Sequence, residues 1–106
     1  MFTGRYDVCI DSKWRFIIPA EIKDQFTDNK VLLKEGKNCI EVYPAPECSE
    51  IKEPNTSFLT KFSKSKTAWR IRIPIFMRNS ESFYFNNGKI TLVGRGTHLE
   101  IWPRAR

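Results

Sequence analysis

The chain has 106 residues, 41% of them apolar, with eight Phe, three Tyr and three Trp to give a core bulk. It carries 18 Lys and Arg against 12 Asp and Glu, a net charge of +6. The length suits one compact domain or two intertwined half-domains. No apolar run is long enough for a transmembrane helix, and the opening Met1-Phe2-Thr3-Gly4-Arg5-Tyr6-Asp7 has no apolar stretch of a secretory signal. Cys9, Cys39 and Cys48 are odd in number and not spaced as close ligands, which predicts free thiols in a reducing, cytoplasmic compartment.

Residues 2–10 suit an extended strand with Tyr6, Val8 and Ile10 on one face. Asp11-Ser12-Lys13 is turn chemistry, because Asp and Ser side chains bond the local backbone. Residues 15–18 form a returning strand, so 2–18 predicts one long hairpin. Pro19 presets the first turn of a short helix over 20–26, with Ile22 and Phe26 on one face. Strands follow over 31–33 and 38–43, joined through Lys34-Glu35-Gly36-Lys37, and Ile40 and Val42 alternate with Glu41 and Tyr43. Residues 47–53 predict a two-turn helix and Pro54-Asn55-Thr56-Ser57 a linker. A strand over 58–62, a return over 70–73 and a short helix opened by Pro74 come next. Phe83-Tyr84-Phe85 before Asn86-Asn87-Gly88 either ends that helical region or forms a hairpin arm. Strands over 90–93 and 97–102, turned by Gly94-Arg95-Gly96, complete the chain.

This order is a repetition. Asp11-Ser12-Lys13-Trp14-Arg15-Phe16-Ile17-Ile18-Pro19 returns as Lys66-Thr67-Ala68-Trp69-Arg70-Ile71-Arg72-Ile73-Pro74, at a constant shift of 55. Ile40-Glu41-Val42-Tyr43-Pro44 returns as Leu99-Glu100-Ile101-Trp102-Pro103, shifted by 59. Two copies of a unit this long predict a duplicated small domain: a first half over 1–53, a linker at 54–57 and a second half over 58–106, each running strand, strand, helix, strand, strand. The fold class is mainly β with short helices.

The charge is concentrated in the second copy. Lys61, Lys64, Lys66, Arg70, Arg72 and Arg78 occur between Pro54 and Ser80 with no Asp or Glu among them, and the remaining segments balance. A localised positive field attracts polyanions, which points to nucleic acid; the plainer alternative is an ordinary basic face. Enzyme signatures are absent. There is no phosphate-binding Gly-rich loop, no metal-ligand cluster and no nucleophile motif, so no cofactor, metal or small-molecule substrate is expected.

Three motifs carry a resemblance to a known family. The opening Met1-Phe2-x-Gly4-x-Tyr6, the turn Asp11-x-Lys13-x-Arg15 with Pro19, and the ending Leu92-Val93-Gly94-x-Gly96 with Glu100-Ile101-Trp102 resemble the MraZ family of bacterial transcription regulators, within the AbrB-like swapped-hairpin class. The resemblance implies half-domains that interleave their hairpins in a double-split β-barrel. It implies a nucleoid-associated homo-oligomer, a ring in the family, that binds double-stranded DNA at repeated promoter boxes of the cell-division and cell-wall gene cluster. It also implies that Arg15, with Lys13 beside it, and Arg70 in the second copy contact DNA. Trp14 stands where the family has Gly; a Trp takes a left-handed turn conformation only at a cost, so a differently shaped turn is expected.

Arg15 and Arg70 can reach a phosphate or a guanine edge, or can pair with a nearby carboxylate. Lys64 and Lys66 flank the second turn as phosphate contacts or as solvated charges, and Arg5 in the opening motif is a further DNA candidate. Trp14 and Trp69 read as packing anchors before base-stacking platforms. Arg72 faces away from Ile71 and Ile73, its role open. Cys9 and Cys39 read as small core residues, His98 as structural, and Glu41 and Glu100 as a repeated structural salt bridge. The expected function is a sequence-specific DNA-binding transcriptional regulator, a repressor. The alternative is a protein-binding AbrB-like module, antitoxin-like or adaptor, whose Trp-bearing turns contact protein.

Overall fold

The computed structural model describes residues 1–26, 29–44, 57–65, 68–77 and 88–103. The chain order is β1 Arg5–Cys9, β2 Arg15–Ile18, α1 Ala20–Lys23, β3 Lys30–Glu35, β4 Ile40–Pro44, β5 Ser57–Lys61, β6 Ser63–Ser65, β7 Ala68–Arg72, a 3-10 turn Ile75–Met77, β8 Lys89–Gly94 and β9 Leu99–Pro103. The protein is mainly β. A six-stranded antiparallel sheet runs β1-β8-β9-β4-β3-β5, and a three-stranded one runs β2-β7-β6. Both are open, so the expected barrel does not close into a ring of strands.

Period-two alternation builds the core. Phe16 and Ile18 of β2, Ile71 of β7, Leu33 of β3, Ile40 and Val42 of β4, and Leu99 and Ile101 of β9 are all buried. Their neighbours Ile17, Arg72, Glu41 and Glu100 lie on the other faces, from half-buried to exposed. Phe26, Phe2 and Phe62 close one side, with ring centroids 4.9 and 5.2 Å from that of Phe26. Ile22 of α1 and Met77 of the 3-10 turn add fully buried side chains. Pro19, at φ −59°, opens α1 without a side-chain cap, and the helix ends at Lys23, short of the expected residue 26.

The long hairpin expected over 2–18 is not formed. β1 pairs with β8 and β2 pairs with β7; between β1 and β2 there remains one bridge, Ile10 to Phe16. In the second copy the separation is partial: Phe62 interrupts the expected strand, β5 pairs with β3, and β6 keeps an antiparallel pairing with β7, Ser63 to Arg70 and Ser65 to Ala68. β1, β2 and β5 thus pair with strands of the other copy, whereas β7 pairs both with β2 of the other copy and with β6 of its own. The register shows the symmetry of this exchange. In β2–β7, Arg15 faces Arg72 and Ile17 faces Arg70, with Phe16 opposite Ile71 between them. Under the shift of 55 the first pair becomes the second and the middle pair maps onto itself. In β4–β9, Glu41 faces Glu100 between Ile40–Ile101 and Val42–Leu99, which repeats the pattern under the shift of 59. A pseudo-two-fold axis passes through both central pairs.

Two of the three sequence motifs meet here. Phe2 and Gly96 exchange both backbone hydrogen bonds at 2.8 Å, and the Gly94 amide donates to the Gly4 carbonyl at 2.9 Å. A Cβ at Gly94 would collide with the backbone of Thr3, so the closing glycine is required by the opening segment. The expected linker enters the structure at Ser57, the first residue of β5. The expected helix over 47–53, Cys48, and the segment 83–87 lie outside the described residues.

Candidate nucleic-acid interface

The first turn is built around Asp11. Its Oδ1 accepts the amides of Lys13 and Arg15, both at 2.9 Å, and its Oδ2 accepts Arg15 Nε at 3.0 Å. The backbone closes the loop with Trp14 N donating to Asp11 O and Asp11 N to Arg15 O. Trp14 takes φ 63°, the left-handed value that completes a three-residue hairpin loop. The turn therefore keeps the shape that a Gly would give, against the expectation from its side chain. Three compensations offset a cost of about 1–2 kcal/mol: the Asp11 bonds on either side, the Ile73 amide donating to the Trp14 carbonyl at 2.8 Å, and the ring packed against the core.

On Asp11, desolvation acts upward as the largest single influence. The amides of Arg15 and Lys13 and the Arg15 side chain together outweigh it and hold the carboxyl below its ordinary value. The turn is ionised at neutral pH and grips Arg15 at Nε, leaving both terminal amino groups without a partner among the described residues.

Because residues opposite each other in an antiparallel pair share a face, Arg15, Ile17, Arg70 and Arg72 lie together on the outer face of β2–β7, with Ser63 of β6 beside Arg70. Arg72 is exposed, Ile17 is 47% exposed, and Arg15 and Arg70 are half-buried. Arg70 has its Nη1 buried without a hydrogen-bond partner among the described residues. Among the described residues, this surface holds three guanidinium groups and no carboxylate except Asp11 at its rim.

Of the residues singled out from sequence, the structure brings Arg15 and Arg70 onto this face and Lys13 to its exposed turn. Lys64 is exposed on β6, its Nζ 5.2 Å from the Trp69 ring centroid. Arg5 is exposed on β1, in the other sheet and opposite Val93, apart from this grouping. Lys66 lies outside the described residues. Arg72 was readable as outward-facing but not as a member of the site; the shift of 55, which pairs it with Ile17, is the signal that finds it.

Both tryptophans pack against the core. Trp69 stands edge-on to Phe62 at 6.3 Å, and Lys23 Nζ lies 4.5 Å from its ring centroid. Cys39 is buried as expected, whereas Cys9 is exposed, because the alternation of β1 sets it with Arg5 and Asp7 instead of Tyr6 and Val8.

Glu41 and Glu100 face each other across β4–β9, with Glu100 salt-bridged to Arg95. Arg95 Nε and Trp102 Nε1 each donate to Glu100 Oε1 at 2.9 Å, and the Tyr43 hydroxyl donates to Glu41 at 3.1 Å. Burial pushes Glu100 up, and the Arg95 and Trp102 donors with His98 bring it below its usual value. His98 stacks on Tyr43 at 4.7 Å. The Cys39 sulfur and the two carboxylates lie within 4.8 Å of one another. Burial first, then both carboxylates, push that thiol up to about 12. It stays protonated at neutral pH and serves as filler beneath a structural ion pair.

A family model described as "MraZ protein, putative antitoxin-like" matches residues 1–66. The chain belongs to the MraZ family. Among its relatives, the transcriptional regulator MraZ of Cytophaga hutchinsonii is 31% identical, over 95% of this chain and 78% of its own length. That of Alkaliphilus metalliredigens is 30% identical over 96% and 80%, and that of Clostridium acetobutylicum 27% over 100% and 84%. These MraZ relatives are named as transcriptional regulators, none as an enzyme. No helix among the described residues is long and apolar enough to cross a membrane.

Proposed function

We propose that the chain is a sequence-specific DNA-binding transcriptional regulator, a repressor acting as a homo-oligomer at repeated promoter boxes of the cell-division and cell-wall gene cluster. The observation that carries this reading is the outer face of β2–β7, where Arg15, Arg70 and Arg72 come together from the two copies with Lys13 on the adjoining turn. Lys13 and Lys64 supply phosphate contacts that fix register, and the arginines read base edges. Oligomerisation lets several such faces engage repeated boxes, so affinity rises through multivalency. The protein-binding alternative relies on exposed tryptophan anchors, and the packing of Trp14 and Trp69 against the core supports the DNA reading over it.

Substituting Arg15→Ala is expected to weaken binding to a box-bearing duplex by tenfold or more, with the circular dichroism spectrum unchanged. Unchanged affinity would remove Arg15 from the site. A heteromeric complex that persists at high salt, without DNA binding, would favour the protein-binding alternative.

A further inference from the structure

The outer face of β2–β7 is not symmetric in chemistry, although it is symmetric in register. Under the shift of 55, Arg15 and Arg70 are counterparts and both are arginine. Ile17 and Arg72 are also counterparts, and they differ completely. The face therefore consists of two rows, Arg15 with Arg72 and Ile17 with Arg70. The rows lie about 6.8 Å apart along the strands, close to two base-pair rises. Ile17 is 47% exposed and is the one large apolar side chain among the three arginines of these rows. Its solvent-side position is fixed by the burial of Phe16 and Ile18 on either side, so it cannot turn into the core without exposing them.

We propose that Ile17 and Arg72 are specificity-determining residues that make the recognised duplex asymmetric. Arg72 takes the O6/N7 edge of a guanine, and Ile17 packs against the C5-methyl of a thymine at the position related by the pseudo-two-fold axis. Arg15 and Arg70 place an arginine on each side, Arg15 held at Nε by Asp11 and Arg70 with one terminal nitrogen buried, and the difference between thymine and guanine falls where Ile17 and Arg72 stand. This inference rests on the DNA-binding reading above and adds to it which bases are read and by which side chains.

The test is enrichment of bound sequences from a pool of duplexes with a randomised central segment. It uses the full chain, Ile17→Arg, Arg72→Ile and Arg72→Lys, each checked for an unchanged circular dichroism spectrum. Affinities are then measured on the enriched duplex and its single-base variants. The wild type is expected to enrich an element asymmetric at one pair of related positions, with guanine on one side and thymine on the other. Ile17→Arg is expected to replace the thymine by guanine and restore symmetry. Replacing the guanine should cost the wild type about tenfold or more and Arg72→Ile almost nothing. Arg72→Lys should keep most of the affinity while losing most of that discrimination, because Lys is a point charge without the bidentate fork. An enriched element whose preferred bases are the same for all four proteins would overturn the proposal and leave the DNA-binding reading standing. Absence of any enrichment by the wild type would overturn both.

Discussion

At φ 63° the Trp14 backbone occupies a region that a glycine enters freely and an L side chain enters at a cost. Its indole recovers part of that cost by packing on the core. The two contributions separate in a pair of variants. Trp14→Ala loses the ring and keeps the strain, whereas Trp14→Gly loses the ring and removes the strain. The Gly variant is therefore expected to be the more stable of the two by about 1 kcal/mol in urea denaturation; equal stability, or a more stable Ala variant, would contradict the strained turn. From sequence, the substitution of Trp for Gly pointed to an altered loop. The turn-forming role of Asp11 was legible; what was not was that its carboxylate takes three donors, the Arg15 side chain among them, and so helps hold Trp14 in the left-handed position.

Asp11 also gives the turn an acid limit. Folding lowers its pKa. Its contribution to stability is thus complete above the unfolded-chain value of about 3.9 and is lost as pH falls through the folded-state value below that. The stability difference between the wild type and Asp11→Ala, followed by urea denaturation from pH 6 to pH 2, is expected to narrow at the acid end. A constant gap would show that the charge on Asp11 does not hold the turn.

Among the elements, β2 and β7 carry the largest division of labour. Phe16 is 1% exposed and sits on the pseudo-two-fold axis opposite Ile71, while the adjacent Ile17 faces solvent. Phe16→Ala is expected to cost about 3–5 kcal/mol and Ile17→Ala less than about 0.5 kcal/mol, both read from denaturation midpoints. Similar losses at the two positions would contradict the assigned faces. Alternation made these faces legible in the sequence, as it did for Ile40 and Val42 against Glu41 and Tyr43. Strand partners were not legible. A polar turn between two β-rich runs predicts a hairpin, and local pattern contains nothing to say that the arms will part. They part in the first copy because β2 finds its buried partner in the other copy, Phe16 on Ile71, which a local hairpin cannot supply; β7 meets that partner and keeps β6 on its other edge. Cys9 was misplaced for a related reason: a strand pattern gives two faces but not which of them is covered.

For the molecule as a whole, the duplication was the most informative feature of the sequence. The shifts of 55 and 59 contain the pseudo-two-fold axis, since the observed registers of β2–β7 and β4–β9 map onto themselves under those shifts. The charge asymmetry located the basic surface only coarsely. It weighted the second copy, whereas the arginine face is assembled from both, with Arg15 from the first and Arg70 and Arg72 from the second. That assembly follows from the strand exchange and so was beyond a linear reading. The acidic pair Glu41 and Glu100 was expected to form a repeated structural salt bridge; Glu100 forms one with Arg95, whereas Glu41 accepts a hydrogen bond from the Tyr43 hydroxyl. The position of one glutamate opposite the other across β4–β9 emerged only from the register.

On the proposed function, this assembled face recognises specific DNA. The most direct measurement is binding of the full chain to a duplex carrying the family's repeated promoter boxes and to a scrambled duplex of the same composition, each at two salt concentrations. Phosphate contacts weaken with salt on both duplexes, whereas base readout adds a difference between them. A preference for the boxes is expected to persist at the higher salt while both affinities fall. Equal binding to the two duplexes, lost together as salt rises, would mean that the arginine face supplies charge alone, and would contradict the proposed function.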